Sequence, residues 1–180
     1  MSIKTFVLEN SKNKKVRRDS VQKAVREYLG SAKIKVTYDD NGKATIEGTP
    51  DPKYISITCC GDIMLVILAD VRVGIDGEYM PRILAEDNKI DYITLSERFF
   101  TEDENDFVRD GDNVAENFAK VWIRKEAYVK CIGKTVSEFP NFSVVENGKL
   151  LNRVSGVAIK RFAIKIPDIE NYLFFIAGID

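Results

Sequence analysis

Apolar side chains in the first part of the chain follow helical spacing and then alternate with polar ones. Residues 16–29 place apolar side chains three and four positions apart, and Gly30 follows them, which predicts a helix. Residues 33–38 alternate up to the turn sequence Asp-Asp-Asn-Gly at 39–42, and residues 43–47 can pair back as a second strand. The pattern therefore predicts a helix followed by a β-hairpin.

Three short apolar runs follow the prolines at positions 50 and 52. They lie at residues 54–58, 64–69 and 71–75, and their short length and mostly apolar side chains are typical of buried strands. We predict that the three runs are neighbouring strands of one buried sheet.

The second part of the chain is predicted to contain a long helix and further strands. Asn113 is suited to cap a helix that continues to Gly133, and residues 90–98 form a shorter helix or a mixed segment. After Pro140 the pattern is again typical of strands, at 142–145, 157–166 and 172–177, with a hairpin turn at 146–148. This order of elements indicates an α+β protein with two halves that meet near residues 70–74.

Composition indicates one folded unit and narrows its cellular setting. Of the 180 residues, 44% are hydrophobic, which is enough for a core. No apolar run approaches the roughly 20 residues that cross a bilayer, and the first residues, Met-Ser-Ile-Lys-Thr, do not resemble a signal peptide. Three cysteines form neither a disulfide framework nor a metal motif. We expect a cytoplasmic protein that does not bind a membrane.

The absence of histidine excludes several kinds of chemistry. With no histidine in the chain, Ser-His-Asp and Cys-His catalysis and zinc sites with imidazole ligands are excluded. Proton transfer would then fall to carboxylates, lysine or water, and a bound metal would have oxygen ligands, which favours magnesium, calcium or manganese.

Charge is nearly balanced overall but unevenly distributed. The net charge of −1 argues against general nucleic-acid binding. Residues 1–30 contain eight basic and three acidic side chains, whereas residues 101–116 contain seven acidic side chains and one basic. Either segment can be a solvated face, but the basic one can also bind a phosphorylated small molecule.

Two pairs of charged residues are candidates for chemistry. Asp76 and Glu78 lie two positions apart at the end of a predicted strand, so both carboxylates project to one face, where Mg²⁺ would offset their repulsion. A solvated turn is the alternative explanation of this pair. Glu126 and Lys130 lie four positions apart on the predicted long helix, and the alternative there is a surface ion pair.

Three motifs together resemble the 4′-phosphopantetheinyl transferases. They are Gly-Ile-Asp-x-Glu at 74–78, Arg-Phe-Phe-Thr-Glu-Asp-Glu at 98–104 and Trp-x-x-Lys-Glu-Ala-Tyr-x-Lys-x-x-Gly at 122–133. The resemblance covers roughly residues 14–178, and the order of elements is similar to the surfactin-synthetase-activating type with a shortened first half. It implies an α+β fold of two pseudo-symmetric halves, each with a helix packed on a small antiparallel sheet.

The resemblance also implies a division of labour between the halves. Residues 1–73 would form the coenzyme A side, and residues 74–180 would form the metal-binding and catalytic half. The implied activity, holo-[acyl-carrier-protein] synthase, transfers 4′-phosphopantetheine from coenzyme A to a serine of an acyl or peptidyl carrier protein and releases 3′,5′-ADP. We expect a monomer whose partners are coenzyme A and that carrier protein, with no nucleic acid.

Site residues follow from the same resemblance. Asp76, Glu78 and Glu126 would hold Mg²⁺, with Mn²⁺ as an alternative. Glu126 would also take the serine proton, directly or through a metal-bound water, with its pKa kept low by the cation and by Lys130. Lys130 would stabilise the phosphate oxygens or the departing bisphosphate. Candidates for binding coenzyme A are Arg17, Arg18, Lys43, Cys59, Cys60, Lys125 and Lys134. Of these, Lys125 is the weaker candidate because its neighbour Glu126 could turn it outward.

The chain departs from the family pattern on the coenzyme side. Thr-Cys-Cys at 58–60 stands where the family usually has Ser-His-Ser, and Gly-Lys-Ala at 42–44 replaces Gly-Lys-Pro. Gly-Lys-Thr at 133–135 replaces Gly-x-Gly. A second hypothesis is therefore a homologue that binds coenzyme A or a carrier protein without efficient turnover. A third, a magnesium-dependent hydrolase unrelated to carrier proteins, depends on the acid pair alone.

Overall fold

The computed structural model describes residues 2–179, and these form an α+β fold of helices and small antiparallel sheets. The first part consists of β1 (Ile3–Glu9), α1 (Lys14–Leu29), β2 (Lys35–Tyr38), β3 (Ala44–Glu47), β4 (Tyr54–Cys60) and β5 (Ile63–Ala69). The second part consists of β6 (Val73–Tyr79), α2 (Met80–Ile83), α3 (Tyr92–Phe99), α4 (Glu102–Arg109), α5 (Val114–Ile132), β7 (Val145–Glu146), β8 (Lys149–Leu150), β9 (Arg153–Val154), β10 (Val157–Arg161) and β11 (Tyr172–Ile179), with short 3-10 helices at Val136–Asn141 and Ile169–Asn171.

The first part packs α1 and a hairpin against a three-stranded sheet. The strand order is β1-β5-β4, and Val21 and Val25 of α1 share a core cluster with Met64 and Val66 of β5. Gln22 of α1 connects the helix to the hairpin, because its side chain accepts a hydrogen bond from the N–H of Val36 at 2.9 Å. The predicted helix and the predicted β2–β3 hairpin are both confirmed.

The second part packs α5 against a four-stranded sheet of order β6-β11-β10-β9. The prediction of one sheet for the three apolar runs is wrong in one respect. β4 and β5 pair with each other, but β6 pairs with β11, with Ile75 opposite Ile176. Leu65 and Ile67 of β5 share a core with Ile75 and Ile176. The third run therefore packs its apolar side chains face to face against the first sheet instead of extending it.

Three segments differ from the predicted pattern, and one of them is the strand predicted at 157–166, which ends at Arg161. The acidic segment, whose secondary structure the apolar pattern does not indicate, contains α4, which Thr101 and Glu104 start with a capping box. The strand predicted at 142–145 is mostly absent: a 3-10 helix ends at Asn141, and the strand that follows is only Val145–Glu146. The division of the chain at residues 73 and 74 and the internal pseudo-symmetry stay predictions.

The long helix α5 begins and ends where the sequence indicates. The side chain of Asn113 accepts a hydrogen bond from the N–H of Glu116 at 3.0 Å, and Gly133 ends the helix in the left-handed conformation, with φ of 76°. None of the helices within residues 2–179 is both long enough and apolar enough to cross a membrane.

Gly74 allows α5 to approach β6 closely. A Cβ atom at this position would lie 2.0 Å from the carbonyl oxygen of Ala127 and 2.5 Å from the backbone nitrogen of Cys131. Both are backbone atoms of α5, so neither can move aside without displacing the helix. The contact therefore fixes the distance between the acidic end of β6 and the last turns of α5.

We expect Gly74→Ala to lower the free energy of unfolding by about 3 kcal/mol, because overpacking against a rigid backbone forces the helix away from the strand. Urea unfolding followed by circular dichroism measures the change. Gly148→Ala is the control: no atom lies within 4 Å of its added Cβ, so only its left-handed backbone, with φ of 70°, opposes the change. That control should cost about 1 kcal/mol, and equal losses in the two variants would contradict the close approach.

Candidate functional site

Strand β6 brings Asp76 and Glu78 to one face, as the sequence predicts. Asp76 is buried, and Glu78 is partly buried. Oε2 of Glu78 accepts a hydrogen bond from Nη2 of Arg82 at 2.7 Å, and Arg82 lies on the short helix α2 that follows the strand. Burial raises the pKa of Glu78, and the charge of Asp76 adds to this effect, while Arg82 and Lys130 oppose it.

Lys130 connects helix α5 to both sheets. Its Nζ lies 2.7 Å from Oδ1 of Asp76, 3.2 Å from the carbonyl oxygen of Ile75 on β6 and 3.5 Å from that of Ile57 on β4. Burial would lower the pKa of Lys130, but attraction to Asp76 and Glu126 raises it overall. The alternative of a surface ion pair between Lys130 and Glu126 is therefore wrong, because the ion pair of Lys130 is with Asp76.

Glu126 lies one turn before Lys130 and is partly buried. Burial raises its pKa, Lys130 lowers it, and the charges of Asp76 and Glu78 raise it further. Lys130 therefore lowers the pKa of Glu126 as expected, but burial raises this pKa by more. The three carboxylates are close enough to repel one another, and this shared negative charge is the main electrostatic feature of the site.

The chemistry of these side chains suits a hard divalent cation. All three offer carboxylate oxygens, and burial, with a further contribution from the neighbouring carboxylates, raises the pKa values of Glu78 and Glu126. Within residues 2–179, no three acidic, cysteine or histidine side chains are already gathered as a complete metal site. Lys130 and Arg82 bind Asp76 and Glu78 instead.

Two adjoining pockets lie beside these residues. The larger, of about 400 Å³, lies between the β2–β3 hairpin, β4 and the end of α5, and Lys43, Glu126, Lys130 and Lys134 are in its wall. The smaller, of about 220 Å³, shares Gly42 and Ile57 with the larger. Its wall includes Lys14, Arg17, Arg18, Tyr38 and Cys59. The structure therefore brings together five of the seven residues predicted to bind coenzyme A: Arg17, Arg18 and Cys59 in the smaller pocket, and Lys43 and Lys134 in the larger.

Cys60 is not one of these five residues. It is buried in the core cluster shared by the two sheets, on the opposite face of β4 from the exposed Cys59. Burial and the charges of Glu78 and Asp76 raise the pKa of its thiol to about 12. Since side chains alternate along a strand, only one of the two adjacent cysteines can face the pocket. The prediction for Cys60 is corrected accordingly.

Lys125 is also corrected, because its side chain turns into the core. It is fully buried, and its Nζ donates to both carboxylate oxygens of Glu104 at 2.8 and 2.7 Å and to the carbonyl oxygen of Phe142 at 2.6 Å. The sequence contains the relevant signal: Val121 and Val129 lie four positions to either side of Lys125 and are buried on the same helix face. Lys125 is therefore a structural residue and does not reach the pocket.

The sequence reasoning did not single out Thr58 as a site residue. Its Oγ1 donates a hydrogen bond to Oδ1 of Asp76 at 3.0 Å, and the residue is buried. Tyr38 was missed as well: the guanidinium carbon of Arg18 lies 4.3 Å from the centre of its ring. The alternation of Ser56 and Thr58 with apolar residues on β4 is the signal for two hydroxyls on one buried face.

The model of the 4′-phosphopantetheinyl transferase superfamily matches residues 72–167. This range is more than half of the chain, and it includes Asp76, Glu78, Glu126 and Lys130. The chain therefore belongs to the 4′-phosphopantetheinyl transferase superfamily and is a transferase of that kind. A comparison with curated proteins gave no match. The hypothesis of an unrelated hydrolase has no support beyond the acid pair.

We expect Lys125→Met to lower the free energy of unfolding by about 3–5 kcal/mol, because it leaves the carboxylate of Glu104 buried without its counter-charge. Urea unfolding at neutral pH measures the loss. Lys120→Met on the same helix removes the partly exposed ion pair with Glu116 and is the control. Its expected loss is below about 1 kcal/mol. A similar small loss for Lys125→Met would contradict the buried pair.

We expect Glu126→Gln to stabilise the protein without added metal at neutral pH and to change little near pH 4. The pKa of Glu126 in the folded protein is raised above its ordinary value of 4.5. As the pH rises above 4.5, the unfolded chain therefore loses this proton more readily than the folded protein, and the free energy of unfolding falls. Below the ordinary value the side chain is protonated in both states, so the effect disappears.

Urea unfolding of both proteins in chelator at the two pH values tests this expectation. Glu116→Gln, a change outside the site on the same helix, is the control: it removes the ion pair with Lys120 and should not stabilise the protein at neutral pH. A Glu126→Gln variant that is less stable than the unchanged protein at neutral pH would contradict the assignment.

Proposed function

We propose that this protein transfers the 4′-phosphopantetheine group of coenzyme A to a serine of an acyl or peptidyl carrier protein and releases 3′,5′-ADP. One observation carries the proposal: the wall of the larger pocket combines Glu126 and Lys130, from the segment that matches the superfamily, with Lys43 from the hairpin of the first part. We further propose the surfactin-synthetase-activating type, because the hairpin that precedes the matched segment lines both pockets and helix α1 lines the smaller one.

The charges and shapes of the pockets support coenzyme A as the donor. Coenzyme A is an elongated polyanion, and two adjoining pockets that share Gly42 and Ile57 suit a long ligand. Arg17 and Arg18 lie at the start of α1 in the smaller pocket, and Lys43 and Lys134 lie in the larger. Contact with Tyr38 restricts the guanidinium of Arg18 before any ligand arrives, which lowers the entropic cost of binding a phosphate.

Asp76, Glu78 and Glu126 are the residues that would hold Mg²⁺, or Mn²⁺ in its place. A bound divalent cation neutralises charge that develops on the phosphate oxygens as the phosphoanhydride bond breaks. In the same step, we propose that Glu126 accepts the proton of the carrier serine as its oxygen bonds to phosphorus. The cation and Lys130 would both favour the charged form of Glu126, so its carboxylate would be ionised and able to accept that proton. Lys130, which lies close to Asp76 and Glu126, would donate hydrogen bonds to the phosphate oxygens.

The test is transfer itself. The protein is incubated with coenzyme A, Mg²⁺ and a panel of purified apo-acyl and apo-peptidyl carrier proteins, and intact mass spectrometry detects the addition of one phosphopantetheine group. We expect Glu126→Gln to lower kcat at least about 100-fold, because it removes the proposed base. The control is Lys120→Met, which changes the same helix outside the pocket. A Glu126→Gln rate equal to that of the unchanged protein would overturn the assignment.

A second candidate function is binding of coenzyme A without efficient turnover. The observation that favours it is the exposed Cys59 in the smaller pocket, where the family usually has a histidine beside the coenzyme. Titration calorimetry with coenzyme A distinguishes the two functions. Micromolar binding with no modified carrier protein across the panel would favour the second candidate over the first.

A further inference from the structure

Two hydroxyl side chains of β4 connect the first sheet to β6. Ser56 and Thr58 lie on the same face of β4, and both are buried. Oγ of Ser56 accepts a hydrogen bond from the N–H of Ile75 at 3.0 Å, and Oγ1 of Thr58 donates to Oδ1 of Asp76 at 3.0 Å. β4 and β6 belong to different sheets and are not paired through backbone hydrogen bonds. The hydroxyls of Ser56 and Thr58 provide hydrogen bonds between these two strands instead.

The carboxylate of Asp76 is held through one oxygen. Oδ1 accepts hydrogen bonds from Thr58 on β4 and from Lys130 on α5. Within residues 2–179, Oδ2 accepts no hydrogen bond. Two donors from different elements restrict rotation of the carboxylate, and they leave the second oxygen available to a ligand. A threonine suits this task because its branched Cβ restricts the side-chain rotamer and so the direction of the hydroxyl.

We propose that Thr58 is a positioning residue for Asp76, which fixes this carboxylate so that Oδ2 can bind the divalent cation. The inference rests on the proposed function, because it takes Asp76 as a ligand of Mg²⁺. Hydrogen-bonded partners of ligating carboxylates contribute strongly to metal affinity, and their removal costs about 10-fold or more. Thr58 thereby links the first part of the chain to the acidic residues of the segment that matches the superfamily.

The test compares Thr58→Val, which keeps the shape and removes the donor, with Thr58→Ser, which keeps the donor. Calorimetric titration of the metal-free protein with Mg²⁺ alone should show about 10-fold weaker affinity for the valine variant. The serine variant should recover most of that loss. In transfer assays at fixed Mg²⁺, kcat should fall for the valine variant while KM for the carrier protein stays unchanged. Crystal structures should show the carboxylate of Asp76 rotated only in the valine variant.

Controls separate this inference from the proposed function. Thr45→Val changes an exposed threonine of β3 and should leave Mg²⁺ affinity and kcat unchanged. If the unchanged protein binds Mg²⁺ and transfers the group, but Thr58→Val does so equally well, the inference is overturned and the proposed function stands. Equal losses in the valine and serine variants also overturn the inference, because the hydroxyl would then not be the cause.

Two further outcomes are decisive. If the unchanged protein neither binds Mg²⁺ nor modifies any carrier protein, the proposed function fails and the inference fails with it. If Thr58→Val does not fold, Thr58→Ala removes the same donor, and we expect the same loss of Mg²⁺ affinity. A Thr58→Ala variant with unchanged affinity would overturn the inference.

Discussion

The close approach of α5 to β6 at Gly74 is the constraint on which the site depends. It places Lys130 within hydrogen-bond distance of Asp76 and of carbonyl oxygens on both β4 and β6. One ammonium group thus joins the helix to both sheets, where no backbone ladder connects those sheets. The same approach brings Glu126, one turn before Lys130, close enough for the charges of Asp76 and Glu78 to raise its pKa. A larger residue at position 74 would separate these groups.

Two groups of buried charges in the described residues differ in how fully opposite charges and hydrogen bonds match them. The pair of Lys125 and Glu104 is fully buried, and Glu104 also accepts hydrogen bonds from the N–H groups of Thr101 and Val144, so each charge is matched. The carboxylates of Glu78 and Glu126 have raised pKa values, which means that folding is opposed by their negative charge. The pair of Lys125 and Glu104 connects α5 to α4. The carboxylates of Glu78 and Glu126 instead leave negative charge that the proposed cation would offset.

The features that the sequence predicted correctly are those set by local rules. Caps at Asn113 and Gly133 define α5, and the period of two along a strand places Asp76 and Glu78 on one face. Contacts between residues far apart in the chain could not be predicted from such local rules. The partner of β6 is about 100 residues away on β11, and Lys125 finds its counter-charge on a helix that apolar spacing does not indicate. Five of the seven residues that the family resemblance predicts for coenzyme binding line the two pockets, and Cys60 does not, because side chains alternate along β4.

The exposed Cys59 gives the smaller pocket a defined reactivity. Burial raises the pKa of its thiol, although Arg17 and Lys130 oppose this. At neutral pH the sulfur is therefore protonated, and a protonated thiol is a poor nucleophile in disulfide exchange. A disulfide that enters this pocket is therefore attacked slowly by Cys59, because exchange requires the thiolate. The pocket gains a small polarizable wall without becoming a site of covalent capture.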